Sequence, residues 1–362
     1  MADAKWMRWF STLPHKNPAS AHFINSFSLD ATTDQAEVIF QAREAATITR
    51  LGALCGSITG SSPVYKISLQ GVASTGYPDG TILGGGSPAS KTFTPTASTW
   101  AWHTLDNSYA CTAGQLMAWV ISYESGTIDG SNFAAFRDYH ATSQAMSFPY
   151  WINNAAGSRT KANTGTPVFG FGSAGKAYGY PLSAAYSQTI QSDTTPDEVG
   201  IKFTVPTSYC STFKVAGVFI NVPNDSGALA RVQLYDTDGT TVLQGIDIDS
   251  DQFASAAGRP GEVLFDDTAA TLNAGSAYRV GFRGSDTGLS WYWDGISVAA
   301  AADLDAYPGG QDVHGCTRTD DGAWTEVTTS RPWIDLLLVD ITAPSGGGGG
   351  LILPRSLGGG LV

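Results

Sequence analysis

Carboxylates spaced two apart come closest to a chemical signature in this sequence. Asp236-Thr-Asp-Gly239 and Asp247-Ile-Asp-Ser-Asp251 space their acids as calcium loops do. On a strand Asp247, Asp249 and Asp251 would share a face and could converge on an ion. No EF-hand-type loop closed by a glutamate follows, and a turn beside a solvated strand edge explains the same residues, so no metal ligand is assigned. Gly170-Phe-Gly-Ser-Ala-Gly175 has the glycine spacing of a dinucleotide loop. That chemistry needs a following helix whose amino end holds the phosphates. Lys176-Ala-Tyr-Gly-Tyr-Pro181 cannot run as a helix, so a glycine-rich turn is expected and no cofactor.

Hydrolytic chemistry is no better served. The histidines (His15, His22, His103, His140, His314) do not cluster, and neither Gly-x-Ser-x-Gly nor His-Glu-x-x-His occurs. His103, within Trp100-Ala-Trp-His103, reads as a packed residue of a sandwich. Asp266-Asp267 and Asp320-Asp321 supply paired acids of the kind glycosidases use, but adjacent strand residues face opposite ways, so solvated loop acids are expected. Cys55, Cys111, Cys210 and Cys316 lie far apart without a Cys-x-x-Cys, which excludes a dense disulfide framework and a zinc ribbon; Cys55 and Cys111 align with Val218 and Leu272 and read as small core residues. No catalytic residue emerges, and the chain is expected not to be an enzyme. Ser290-Trp-Tyr-Trp-Asp294 puts Trp291 and Trp293 on one face of a strand. They are either a platform for sugar rings or core residues, with Phe133 and Phe136 as counterparts.

Composition narrows the classes. The chain has 362 residues, of which 14% are charged, with a net charge of −12 and a pI near 4.7. Nucleic-acid binding needs a basic footprint and is not expected. No run approaches the roughly 18 apolar residues that would span a membrane, and the first ten residues lack the apolar stretch of a secretory signal. A hydrophobic fraction of 42% suffices for sizeable cores.

The most informative feature is a weak duplication. Thr32–Phe40 resembles Thr194–Phe203; Tyr65–Gln70 with Asp79-Gly-Thr-Ile-Leu83 resembles Ala230–Tyr235 with Asp238-Gly-Thr-Thr-Val-Leu243. Cys111–Val120 resembles Leu272–Val280, and Thr166–Phe169 resembles Arg331–Ile334. Phe40 and Phe203, Asp79 and Asp238, Gly114 and Gly275, Pro167 and Pro332 are each about 160 residues apart, the length of one ordinary domain. Alternation in Tyr65–Gln70 and Ala230–Asp236 predicts half-buried strands, and Leu116–Ile121, apolar on both faces, a central one. Asp79-Gly80 and Asp238-Gly239 predict hairpin turns; Ala113-Gly114 and Ala274-Gly275 read as turns before the strands of Trp119 and Val280. Ala36–Ala46 is read as strand, since its counterpart carries Gly200 and Pro206. The expected fold is all-β: two tandem antiparallel, jelly-roll-like β-sandwiches from an internal duplication, with an N-terminal arm (1–18), repeats at 19–180 and 181–343, and a Gly-rich tail (344–362).

The ends differ from the body. The arm carries Trp6, Trp9 and Phe10 among basic residues. The tail runs through five glycines to an apolar plug, Leu351-Ile352-Leu353. The arm is too short for a core of its own and could dock on a partner; the tail is either a frayed end or a second docking segment.

This layout resembles the virion structural proteins of tailed bacteriophages: head decoration proteins, head fibres and tail-attached adaptors built from tandem jelly rolls. The duplicated sandwich, the few charges, the Gly/Ser/Thr/Ala-rich strands, the missing secretion signal and the glycine run before Leu351-Ile-Leu-Pro-Arg355 carry the resemblance, and no functional residue transfers by position. It implies a non-enzymatic virion subunit, made in the host cytoplasm, whose partners are other virion proteins (capsid or tail) and copies of itself, a trimer suiting a fibre or decoration role. The alternative is a carbohydrate-binding module recognising a receptor or surface glycan through Trp291 and Trp293. Cofactors, nucleic acid and membranes are not expected.

Overall fold

The computed structural model describes residues 7–8, 24–42, 44–61, 63–140, 150–155, 157–162, 165–173, 175–179, 184–190, 195–221, 229–249, 260–265, 270–284, 291–306, 310–332 and 334–344. For 7–8, 24–25, 138–140, 150–153, 160–162, 165–167, 184–190, 221, 260–261 and 291–294 it describes the backbone alone. Two compact units result: residues 22–183, and residues 184–362 together with 1–21.

After β1 (Met7–Arg8), the first unit contains β2 (Ile24–Leu29), β3 (Gln35–Gln41), β4 (Ala46–Thr59), β5 (Val64–Val72), β6 (Pro78–Ile82), β7 (Ser90–Phe93), β8 (Thr99–Cys111) and β9 (Leu116–Ser125). It continues with β10 (Phe133–His140), β11 (Tyr150–Ala155), β12 (Ser158–Ala162), β13 (Gly165–Pro167), β14 (Phe169–Ser173) and β15 (Lys176–Gly179). The second unit holds β16 (Ala184–Ile190), β17 (Glu198–Thr204), β18 (Thr212–Asn221), β19 (Leu229–Tyr235), β20 (Val242–Asp249), β21 (Pro260–Leu264) and β22 (Thr271–Asn273). β23 (Ala277–Gly284), β24 (Trp291–Ser297), β25 (Val313–Arg318), β26 (Thr325–Val327), β27 (Ser330–Pro332) and β28 (Ile334–Thr342) complete it, with two short 3-10 turns at Ala301–Ala306 and Gly310–Asp312.

The duplication is written in the pairing. One sheet of the first unit has the order β12-β11-β3-β9-β5-β6, and its equivalent in the second is β26-β25-β17-β23-β19-β20. All these pairings are antiparallel. Register agrees residue by residue: Val38 lies beside Trp119, and Trp119 beside Leu69, where the second unit sets Ile201 beside Val280 and Val280 beside Leu234. The opposing strands correspond as well. β2-β10-β13 is matched by β16-β24-β27, and β8 on one side of β4 by β21 and β22 on one side of β18.

Turns repeat too. Gly114 at φ +82° donates to the Ala42 carbonyl, and Gly275 at φ +81° donates to the Val205 carbonyl, both at 2.8 Å. A side chain is disfavoured in that left-handed backbone, so two glycines in the same turn reflect one requirement met twice. Asp238-Gly239 forms the expected β19–β20 hairpin: the Asp238 carboxylate accepts from the Thr240 and Thr241 amides. Asp79-Gly80 does not. Those residues lie within β6, and the reversal comes earlier, at Ala73–Tyr77.

Each unit has its own core, closed between its sheets. Trp119, Tyr65, Val38 and Ile67 meet Phe136, Phe169 and Leu51 in the first. Phe203, Val280 and Leu234 meet Phe213, Val218 and Leu336 in the second. The central strand β9 is buried on both faces: Met117, Trp119 and Ile121 in the core, Ala118 and Val120 with Ile39 behind it. The pairing corrects one alignment. Ala46 beside Cys111 and Arg50 beside Gly172 match Phe213 beside Leu272 and Gly217 beside Leu337, so Leu51, not Cys55, stands in Val218's place.

His103 packs its ring on Phe93 at 4.0 Å. Burial lowers its pKa from an ordinary 6.5 to about 4. The unfolded chain then takes up the proton first, so stability is full above about pH 6.5 and is lost as pH falls toward 4. We expect up to about 3 kcal/mol from this group. Chemical denaturation of wild type and His103→Gln between pH 7 and 4 checks it: the wild-type curve should fall more steeply, and parallel curves would exclude the effect.

Candidate functional site

Of the segments expected to dock partners, the N-terminal arm meets the described structure at one point. β1 lies antiparallel on β28, with Met7 beside Leu338 and Arg8 beside Leu337. The sequence Ile334-Asp-Leu-Leu-Leu-Val339 explains why β28 can receive it. Ile334, Leu336 and Leu338 face the core, and Asp335 and Leu337, on the opposite face, are buried as well. Such a strand would be a sticky edge if left open. Trp6, Trp9, Phe10, Leu351, Ile352 and Leu353 lie outside the described residues, so only the backbone of their neighbours Met7 and Arg8 is placed.

The second feature was not foreseen. On the outer face of the β17-β23-β25 region a charged cluster is sealed into the sheet. Glu198 and Arg318 are direct cross-strand neighbours, both buried. Arg318 Nε donates to Glu198 Oε2, Arg318 Nη2 donates to Tyr235 Oη at 2.6 Å, and the Tyr235 hydroxyl donates to Glu198 Oε1 at 2.8 Å. The guanidinium carbon lies 4.6 Å from the Tyr235 ring centre and 4.8 Å from that of Trp324. Gly281 makes room: a Cβ there would stand 2.0 Å from Glu198 Oε1 and 3.0 Å from the Trp324 ring. Burial pushes the Glu198 carboxyl up, and Arg318 foremost, with the Tyr235 hydroxyl, draws it back.

The turn that brings Trp324 over the sheet is held from below. Asp320 and Asp321 both have left-handed backbones, at φ +50° and +56°, a conformation that aspartate tolerates better than most residues. Asp197, buried, accepts from the Asp320 amide at 3.3 Å and from Arg283 at 3.1 Å, and Arg283 also reaches Asp321 at 2.7 Å. Asp320-Asp321 is thus an exposed turn tied down by arginine. Both Glu198 oxygens are engaged, so the cluster works as a clamp on the sheet. The first unit solves the same problem elsewhere: Glu37, buried on β3, accepts from Asn154 and Arg159 at 3.1 Å.

Aromatic residues form a third group. Trp100 and Trp102 meet edge to face at 5.2 Å on the outer side of β8. Gly52 and Gly170 beneath them leave no room for a Cβ, which would come within 2.4 and 2.6 Å of the indoles. Arg50 lies 4.0 Å over the Trp102 ring. Trp291 and Trp293 belong to β24, where they pair with Ile190 and Gln188. Their side chains lie outside the described residues. The register that sets Ala134 beside Leu29 matches them to Ala134 and Phe136, both buried in the first core, so Phe133 is not a counterpart.

The remaining candidates are dispersed. Asp238 is taken up by Thr240 and Thr241, whose donors hold its carboxyl below the usual range, and Asp247 by Arg231. Asp251, Asp266, Asp267, His15 and His22 lie outside the described residues, and among those described no group of three His, Cys, Asp or Glu could hold a metal. Gly170–Ser173 and Lys176–Gly179 form a β-hairpin, not a strand and helix. All four cysteines are free and buried, and burial raises Cys55 to about 11, far from a thiolate at neutral pH. No helix among the described residues is long and apolar enough to cross a membrane.

These features define a tandem β-sandwich protein with a strand-donating arm. No protein-family model matches the chain, and no curated protein matches it. Among solved structures it is matched with one described as infectious bursal disease virus Gt strain, at 10% identity over 95% of this chain and 80% of that one. The TM-score of 0.16 carries no argument about fold or role.

Proposed function

We propose that this protein is a non-enzymatic structural subunit of a bacteriophage virion, fastened to neighbouring subunits by its terminal segments while its two sandwiches form the displayed body. The observation that carries this reading is the N-terminal arm acting as a strand on β28, a mode in which main-chain hydrogen bonds supply affinity. The clamp at Glu198 supports it, since both carboxylate oxygens are taken up in holding the sheet. Many copies on a symmetric particle would turn a short strand contact into firm attachment. Quantitative mass spectrometry of purified particles tests it. The chain should be present at fixed stoichiometry, and removal of residues 1–10 should lower its occupancy at least tenfold while the free protein stays folded. Absence from particles, or full occupancy without the arm, would overturn the reading.

A further inference from the structure

We infer that the outer edge of β28 is a strand-acceptor site filled, in the assembled state, by the N-terminal arm of a second copy of this chain. This rests on the reading of the arm as the fastening segment and names what it fastens to. The duplicated units differ at one edge. In the first, β14 is flanked on its outer side by β15, the next strand in the chain, through four paired residues from Gly170 beside Gly179 to Ser173 beside Lys176. In the second, β28 takes the place of β14, as Pro167 and Pro332 align the two. Among the described residues no strand follows β28. Ala343-Pro-Ser-Gly-Gly-Gly-Gly-Gly350 comes instead, and a proline lacking an amide followed by a glycine run is a poor strand former.

The vacant position is taken by β1. Arg8 beside Leu337 and Met7 beside Leu338 stand where Ala177 and Lys176 stand beside Gly172 and Ser173. On this edge the second sandwich therefore receives a segment about 330 residues away in sequence.

A strand donated from a chain terminus makes the same contacts whichever copy donates it. The choice is set by effective concentration, and exchange of an identical element is a low-cost route to oligomers. Residues 9–23 separate β1 from β2, and fully extended they would reach on the order of 50 Å, enough to cross to a neighbour. Donor arm and acceptor edge are different surfaces, so the contact is head-to-tail and closes into a ring where the rotation allows.

Two experiments decide between exchange and self-closure. In the first, Arg8→Cys chains and Leu337→Cys chains are mixed, unfolded, refolded together and oxidised. Exchange predicts a covalent species of twice the 37.9 kDa chain mass that neither variant forms alone; its absence, with both variants folded, would overturn the inference. The second uses the unaltered protein and a synthetic peptide of residues 1–12. Light scattering should show an oligomer that falls to single chains in excess peptide. A protein that is monomeric up to about millimolar concentration, or an oligomer indifferent to the peptide, would equally overturn it. Neither result depends on particle occupancy: exchange in a protein missing from virions would refute only the virion reading, and occupancy without exchange only this one.

Discussion

Arg318→Ala should destabilise the second unit by about 3–5 kcal/mol, the usual cost of stranding one member of a buried ion pair. Glu198 would lose its guanidinium partner while staying buried, and Tyr235 and Trp324 would lose the cation between their rings. A deficit of that size corresponds to a fall in Tm of roughly 10 °C for a unit of this length. Because burial already raises the Glu198 carboxyl and Arg318 is the main force drawing it back, the variant's carboxyl should rise further. A group whose pKa is higher in the folded state gives stability at low pH that is lost as pH rises through the folded value. The deficit should therefore shrink as pH is lowered from 8 toward 4.5. Replacing both partners, Glu198→Gln with Arg318→Met, should cost less than Arg318→Ala alone, since no charge is then stranded. Urea denaturation of the three variants measures all of this, and a pH-independent loss under 1 kcal/mol for Arg318→Ala would show that the clamp carries no load.

That clamp could not have been read from the sequence, whereas the sheet it sits on could. The strands of Leu69 and Leu234 came from alternation, and block order matched Val38, Trp119 and Leu69 to Ile201, Val280 and Leu234; that each trio forms one row across the sheet came from the pairing. Gly114 and Gly275 were legible because a left-handed turn restricts its residue type. Asp79-Gly80 misled for a related reason: a glycine at φ +81° serves an irregularity inside a strand as well as a turn. The Cys55 alignment slipped because β4 and β18 both carry register shifts, which move a counterpart without changing its apolar character. Glu198 and Arg318 are 120 residues apart, and only the registered pairing of β17 with β25 makes them neighbours. The arm's apolar residues were visible, but that β1 stands on β28 where β15 stands on β14 emerges only when the two sheets are compared.

Trp119→Ala should cost the first unit about 3–5 kcal/mol and leave the second untouched. The indole is fully buried at the centre of β9, packs edge to face on Phe169 at 6.1 Å, and donates across the sandwich to the Gly52 carbonyl at 3.2 Å. Truncation removes the largest side chain of that core and leaves a cavity whose lining can collapse only in part. Trp119→Phe refills much of the volume but not the donor, so its smaller loss, about 1–3 kcal/mol, measures the stranded carbonyl together with the shape mismatch. Hydrogen exchange supplies the decisive contrast. Since the two cores share no residue, amides of β3 and β5 should lose protection in Trp119→Ala while those of β17 and β23 keep theirs, and Arg318→Ala should show the reverse. Simultaneous loss in both units from either substitution would mean that they unfold as one, and that duplication of the sheet has not left each copy able to stand on its own core.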